Sequence, residues 1–316
     1  MRKNVFILCC LGMVILLNHS AFSQKITIEK SYPEAFLRAY DNYVNKNYAA
    51  SFEQFSALVE QTPQDREELL QDIMFYRASS AYEMMNKDAD ALLCEFISLC
   101  PQSSHCNEAY FLLANFYARG ERYDQAIEVY SKMNVAILNQ DDKFEYYYKR
   151  GHCLFMLNRY DEALEEFDKV KDAKSKFAAP STYFYAHILY EQGRYNLALK
   201  EFLTLQEDKS FGKIVPYYIA HIYYYQENYE ELIRIAPSLS EKSQSKRSGE
   251  LNRMLGDAYY KLGQYKEATP YLIKAAEQEG ADVQDYYLLG FSLMEEKDFK
   301  QAKTYLAKAI EKKDSL

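Results

Sequence analysis

Apolar residues recur along the chain at three- and four-residue intervals, in short segments that come in pairs. In LANFYARGERYDQAIEVY, residues 113–130, they fall on one face before Gly120 and on one face after it, which predicts a helix, a turn and a second helix. Shifting the chain against itself by 34 to 40 residues repeats this pattern through eight units, each anchored by a small residue: Ala39, Ser79, Ala114, Gly151, Ala186, Ala220, Gly256 and Gly290. Nine positions after each anchor comes Tyr48, Asp88, Tyr123, Tyr160, Tyr195, Tyr229, Tyr265 or Phe299. Three further on stand Ser51, Ala91, Ala126, Ala163, Ala198, Leu232, Ala268 and Ala302, and four beyond those Phe55, Tyr130, Phe167, Phe202, Ala236, Leu272 and Leu306. The second unit departs from the pattern at Asp88 and Glu95.

A helical hairpin of this kind cannot bury its apolar faces alone, so neighbouring hairpins must share one core. The small anchor lets the two helices approach, the second-helix alanine receives the neighbouring backbone, and the aromatic at the turn plugs the hairpin. The expected fold is therefore all-α, a right-handed α-solenoid of about eight helix-turn-helix units. The prolines agree: Pro33, Pro180 and Pro216 open first helices, where a missing N–H costs little, Pro63 and Pro101 follow second helices, and Pro270 comes early in one. The polar segment PSLSEKSQSKRSGE, residues 237–250, is the expected hinge, though the repeat resumes in phase after it.

These units resemble the tetratricopeptide repeat family, as in GDAYYKLGQYKEATPYLIKA (residues 256–275) and GHCLFMLNRYDEALEEFDKV (residues 151–170). The likeness covers roughly residues 32 to 312, and the first half is also similar to envelope-assembly members, in FISLCPQSSHCNEAYFLLANFY. The resemblance implies that a segment of another protein is bound in a concave groove lined by the first helices. Positions three before, one after and four after the anchor share one helical face, and in the family that face lines the groove. The groove residues so implied are Phe111, Asn115, Tyr148, His152, Phe155, Tyr183, His187, Tyr190, Tyr217, His221, Tyr224, Arg253, Asp257, Tyr260 and Tyr287. Tyrosine and histidine dominate the row, and tyrosine offers rigid amphipathic area at small entropic cost. Two readings stand side by side: a ladder that stacks on an extended ligand, or tyrosines that merely suit tightly packed helices. The lysine and asparagine clamp of some chaperone-binding members is not reproduced, since only Asn115, Lys149 and Arg253 fall on the right face, which argues against recognition of acidic tails.

Composition narrows the function further. Arg2 and Lys3 precede the apolar run VFILCCLGMVILL and the Ala21-Phe22-Ser23 end of a secretory signal peptide, residues 1–23, with residues 24–31 as an N-terminal extension and 32–316 as the array. The run is too short to span a bilayer, which needs about 20 residues. Its cysteines, Cys9 and Cys10, lie inside it rather than after it, which argues against a lipid anchor. An exported, periplasmic or outer-membrane-associated protein is expected. Removing residues 1–23 leaves 36 Lys and Arg against 46 Asp and Glu, so no basic footprint for nucleic acid is present.

Of the remaining cysteines, Cys94, Cys100, Cys106 and Cys153, an exported chain can oxidise a pair. Cys100 and Cys106 flank one turn and are the candidate disulfide, the alternative being free, partly buried thiols. A zinc cluster of Cys94, Cys100, His105 and Cys106 lacks the short chelating spacing, and the histidine row lies at helix-packing distances, too wide for ligands near 2 Å. No metal or cofactor is expected. Phosphate loops, HExxH, nucleophile elbows and paired CxxC motifs are missing, and acids such as those of DEALEEFDKV read as salt-bridging surface, so an enzyme ranks last. The leading expectation is a non-catalytic interaction scaffold of the bacterial cell envelope. The alternatives are a carbohydrate or peptidoglycan binder, stacking sugars on the aromatic stripe, and a sensor or regulatory arm of a larger protein. The end at AIEKKDSL, without a polar capping helix, suggests self-association or further repeats beyond it.

Overall fold

The computed structural model describes residues 32–235, 246–278 and 280–314. The signal segment, the 24–31 extension and residues 237–245 of the serine-rich connection fall outside these. Among the described residues there are sixteen α-helices, one 3-10 turn (Val135–Ile137) and no strand. Two compact units divide them, the first ending at Asn158 and the second starting at Arg159. The division falls in the turn of the fourth repeat rather than at the serine-rich connection.

In the first unit, α1 (Glu34–Val44) pairs with α2 (Tyr48–Gln61), α3 (Glu67–Glu83) with α4 (Ala89–Leu99), and α5 (Cys106–Arg119) with α6 (Tyr123–Ser131), and α7 (Gln140–Met156) ends the unit. The second unit opens with α8 (Tyr160–Lys171). It continues through the pairs α9 (Ala178–Glu191) and α10 (Tyr195–Thr204), α11 (Val215–Tyr225) and α12 (Tyr229–Ile235), α13 (Lys246–Lys261) and α14 (Tyr265–Ala276), and α15 (Val283–Glu295) and α16 (Phe299–Asp314). Within each unit every helix packs on the next along the chain, and consecutive first helices also touch: α1, α3, α5 and α7 in one, α11, α13 and α15 in the other. This is the arrangement of an α-solenoid, with hairpins stacked on their neighbours.

The anchors are buried in all eight hairpins. Gly256 and Gly290 show why they are small. A methyl at Gly256 would lie 2.5 Å from Leu272 Cδ2, and one at Gly290 2.6 Å from Leu306 Cγ. Those leucines are the residues sixteen positions after each anchor, so the two helices of a hairpin meet where the repeat places them. Gly256→Ala should cost about 1–3 kcal/mol by overpacking, measured by denaturant unfolding. Combining it with Leu272→Ala should recover part of the combined loss, because the new methyl occupies vacated space. Purely additive costs would sink the close-approach account.

Seven residues after the anchor the chain turns through the left-handed region, at Lys46, Glu121, Asn158, Gly193, Glu227, Gly263 and Lys297. In the third hairpin the residue is therefore Glu121, not Gly120, whose φ is −82°. Two positions later the second helix starts, and its first aromatic packs on the tyrosine four after the anchor: Tyr48 on Tyr43 (ring centroids 5.7 Å), Tyr195 on Tyr190 (5.7 Å), Tyr229 on Tyr224 (6.3 Å) and Tyr265 on Tyr260 (5.4 Å). The plug expected at the turn is thus a half-buried aromatic pair; Phe299 stays exposed.

The second hairpin corrects the repeat. Its left-handed residue is Met85, seven after Ala78, so Ala78 rather than Ser79 occupies the anchor position. Its α4 starts eleven residues after that anchor instead of nine. The longer turn rotates α4, so that Ala89 and Leu93 are buried while Ala91, expected inside, is exposed. With Asp88 in the aromatic slot, nothing in the sequence pins this register.

Candidate functional site

The first-helix face divides into residues that the stack covers and residues that it leaves open. In the first unit Phe111, Asn115 and Tyr148 are buried, and His152 and Phe155 are half-buried. Asn115 accepts a hydrogen bond from the Tyr130 hydroxyl through Oδ1 at 2.7 Å, joining α5 to its own second helix. Lys149 sits over the Phe111 ring, 4.7 Å from its centroid, and pairs with the buried Glu145 at 2.8 Å. Burial holds the His152 imidazole down at about 4, in the neutral form.

In the second unit Tyr183, Tyr217, His221 and Asp257 are buried, His187, Tyr190, Tyr224, Arg253 and Tyr260 are half-buried, and Tyr287 is 44% exposed. The expected ladder is therefore not a row of free rings. Tyr183 stacks on Phe211 (4.8 Å) and its hydroxyl lies 3.3 Å from that of Tyr218. His187 meets the Tyr218 ring edge at 5.4 Å, and burial lowers its pKa to about 4.

The polar groups of the face are spent between hairpins. The tyrosine four after one anchor reaches the residue one after the next: Tyr224 donates to Asp257 Oδ2 at 2.7 Å, and the Tyr190 hydroxyl lies 3.5 Å from His221 Nδ1. In the first unit Tyr43 makes the same contact with Ser79 at 2.8 Å, which obeys the rule only once the second anchor is moved to Ala78. Tyr217 donates to Glu250, and Arg253 forks onto Asp285 (Nη2 to Oδ2, 2.6 Å). Asp285 is itself half of a capping box with Asp282 at the start of α15. Each bond links successive first helices, so these tyrosines and Arg253 act first as staples between repeats.

A buried acid and histidine cluster serves the same end in the first unit. Tyr32 donates to Asp72 at 2.6 Å, and His105 Nε2 lies 3.2 Å from the other carboxylate oxygen while its ring stacks on Phe75 at 4.2 Å. Burial opposes a charge on His105, but its contact with Asp72 and the nearby Glu108 carboxylate, 3.9 Å from Nδ1, outweigh this and raise its pKa.

The four cysteines are free thiols. The candidate Cys100–Cys106 disulfide is not formed: Cys100, at the end of α4, turns into the core, whereas Cys106 is only half-buried at the start of α5. Among the described residues no group of three or more His, Cys, Asp or Glu side chains could hold a metal ion, and no helix is long and apolar enough to cross a membrane.

The repeat pattern points to only some of the residues that remain open. Tyr225, five after its anchor, is 54% exposed and stacks on Tyr195 with centroids 5.4 Å and planes 8° apart. Neither is in the expected groove set, because Tyr225 falls one position off the groove face and Tyr195 stands at the hairpin-plug position. The run Tyr223-Tyr224-Tyr225 was the available signal: on a helix, three consecutive tyrosines cannot all point inward.

A tetratricopeptide repeat family model matches residues 144–173, and a second model of the same repeat matches residues 108–132, 251–282 and 286–311. These four matched stretches are tetratricopeptide repeats. The signal recognition particle subunit SRP72 of Dictyostelium discoideum is 28% identical over 172 residues, 54% of this chain and 24% of that one, so the chain spans about a quarter of that relative's length. Among solved structures, MamA (AMB-1) is 18% identical over 56% of this chain and 95% of its own, with a TM-score of 0.50. A tetratricopeptide repeat protein from Parabacteroides merdae is 16% identical over 82% of this chain and 98% of its own, with a TM-score of 0.49. Proteins of the family bind protein or peptide partners and are typically non-catalytic interaction scaffolds.

Proposed function

We propose that this chain is an exported, non-catalytic scaffold of the bacterial cell envelope that holds a peptide or protein segment against the faces of its first helices. The observation that carries this reading is the residue of aromatic and apolar surface that the second unit does not use. Anchors, second-helix alanines and inter-repeat bonds consume most of each first helix, yet Tyr225, Tyr287 and Met294 stay exposed, with Phe291 tilted against Tyr287 at 4.4 Å. Tyrosines in this state give contact area with little loss of side-chain freedom on binding. Export is supported by the charged, apolar and small-residue order of residues 1–23.

Alanine at Tyr183 or Tyr217 would damage the packing and test nothing about binding. A photoreactive residue placed at 225 or 287 of the full chain, with 137 as an exposed control outside the first helices, separates the outcomes. Crosslinking in the native host to one protein from 225 or 287 but not from 137 is expected. Equal products at all three positions, or none, would overturn the reading, and attachment to glycan alone would replace the protein segment by a sugar. Fractionation with and without residues 1–23 checks export: the truncated chain should stay in the cytoplasm.

A further inference from the structure

In the second unit the exposed Tyr225 and the half-buried Tyr190 and Tyr195 form a platform with carboxylates at its edge. Tyr225 ends α11 and lies flat on Tyr195, which opens α10 of the preceding hairpin. Tyr190 leans on Tyr195, and His221 comes within 6.0 Å of Tyr225 between ring centroids. Hairpin packing does not require this arrangement. The position five after the anchor holds no aromatic residue in any other repeat: it is Val44, Arg119, Met156, Glu191, Lys261 and Glu295 where the phase is undisputed. Tyr225 therefore adds a ring that the stack does not bury.

Among the described residues, two carboxylates stand at the platform: Glu191, next to Tyr190 at the end of α9, and Glu250, which accepts from Tyr217 and lies beside His221. After burial and the neighbouring Tyr195, Glu250 and then Glu191 raise the pKa of the Tyr225 hydroxyl, and Glu191 acts on Tyr190 in the same direction. Glu191 is exposed and has no hydrogen bond or ion pair among the described residues. The Glu250 side chain is 46% exposed. Behind it, buried His221 has an Nε2 with no hydrogen bond, the misaligned Glu250 Oε1 lying 3.5 Å away. Electron-rich ring faces, an unmatched carboxylate and a second carboxylate only partly engaged make a place for a positive charge.

We infer that the platform of Tyr190, Tyr195 and Tyr225, edged by Glu191 and Glu250, takes the cationic side chain of an arginine or lysine on the bound segment. This rests on the scaffold reading and specifies its partner. The face of a tyrosine attracts a cation held over it. A guanidinium does more than an ammonium, since it stacks flat on the ring and forks onto a carboxylate at the edge. Arginine is thus the preferred residue. The charge complementarity extends beyond the platform, because the chain after residue 23 has ten more acids than bases.

The test uses the full chain and two peptides, acetyl-Arg-Gly-Arg-amide and its citrulline counterpart, which keeps the shape and removes the charge. Titration followed by NMR of the histidine and tyrosine rings should show saturable shifts at His221 and Tyr225 with the arginine peptide and much weaker ones with citrulline. Tyr225→Ala and Glu191→Gln should each weaken binding about two- to fivefold, while Tyr225→Phe, which keeps the ring face, should change it less. Both side chains are exposed, so the variants should melt as the wild type does. Equal binding of the two peptides, no binding, or indifference to Tyr225→Ala and Glu191→Gln would each overturn the assignment. Shifts with chitotriose in place of the arginine peptide would give the platform to a sugar and overturn it as well. A crosslinked protein segment at 225 or 287 together with a failed arginine titration would leave the scaffold standing and remove only the cation site.

Discussion

Acidification from pH 7 to about 4 should lower the stability of both units well before carboxylate protonation is complete. Burial depresses His152 and His187 to about 4 from an ordinary 6.5, so the folded chain keeps them neutral over a range in which the unfolded chain takes up protons. A folded-state pKa below the unfolded one makes stability full above about pH 6.5 and progressively lost down to about pH 4, at a cost of roughly 3 kcal/mol for each histidine at the acid end. His221, lowered by burial against the pull of Glu250, adds in the same direction. His105 works oppositely. Its pKa is raised, so its contribution is complete below pH 6.5 and fades as the pH climbs past its folded value. The half-buried carboxyls of Glu83 and Glu108, whose pKa desolvation raises, also gain on acidification. The histidine contribution is isolated by comparing wild type with His187→Gln in urea titrations at pH 7 and 4.5. The variant should lose less stability between the two, and an equal loss would show that His187 is charged in the folded chain.

Small anchors, turn positions and the core residues twelve and sixteen further on were legible in the sequence because each is a local demand. A Cβ at Gly256 meets Leu272 whatever the rest of the array does. Phase was legible only where an aromatic marked the turn, and the second hairpin, with Asp88 in that slot, slipped by one residue. Depth was not legible at all. Periodicity puts Tyr148, Tyr183 and Tyr217 on one face, but the packing of neighbouring helices and turns decides that the face is covered at those positions. The staples were hidden for a related reason. The partners of Tyr43, Tyr190 and Tyr224 are Ser79, His221 and Asp257, which share a position and a capacity for hydrogen bonding but no residue type. Tyr225 escaped because it belongs to no repeated position, which is also why it is left free for something other than packing.

Replacing Tyr130 should be among the most costly single changes in the first unit. Its side chain is fully buried, its ring meets Tyr146 edge-on at 5.6 Å and Phe111 at 6.1 Å, and its backbone carbonyl accepts from the Tyr146 hydroxyl at 3.3 Å. Tyr130→Ala should cost about 3–5 kcal/mol, the usual loss for a large aromatic removed from a packed core. Tyr130→Phe keeps the ring and removes only the bond to Asn115. Asn115 is buried, and its amide nitrogen already has no partner among the described residues, so losing the bond to its oxygen should cost about 1–3 kcal/mol. Asn115→Leu in the Tyr130→Phe background should return part of that loss, since an apolar pair of similar size replaces a stranded amide. Such recovery in thermal unfolding would assign Asn115 to the hairpin interior. If Asn115→Leu instead lowers stability equally with and without the Tyr130 hydroxyl, the amide is answering to something other than Tyr130, and its place on the binding face returns.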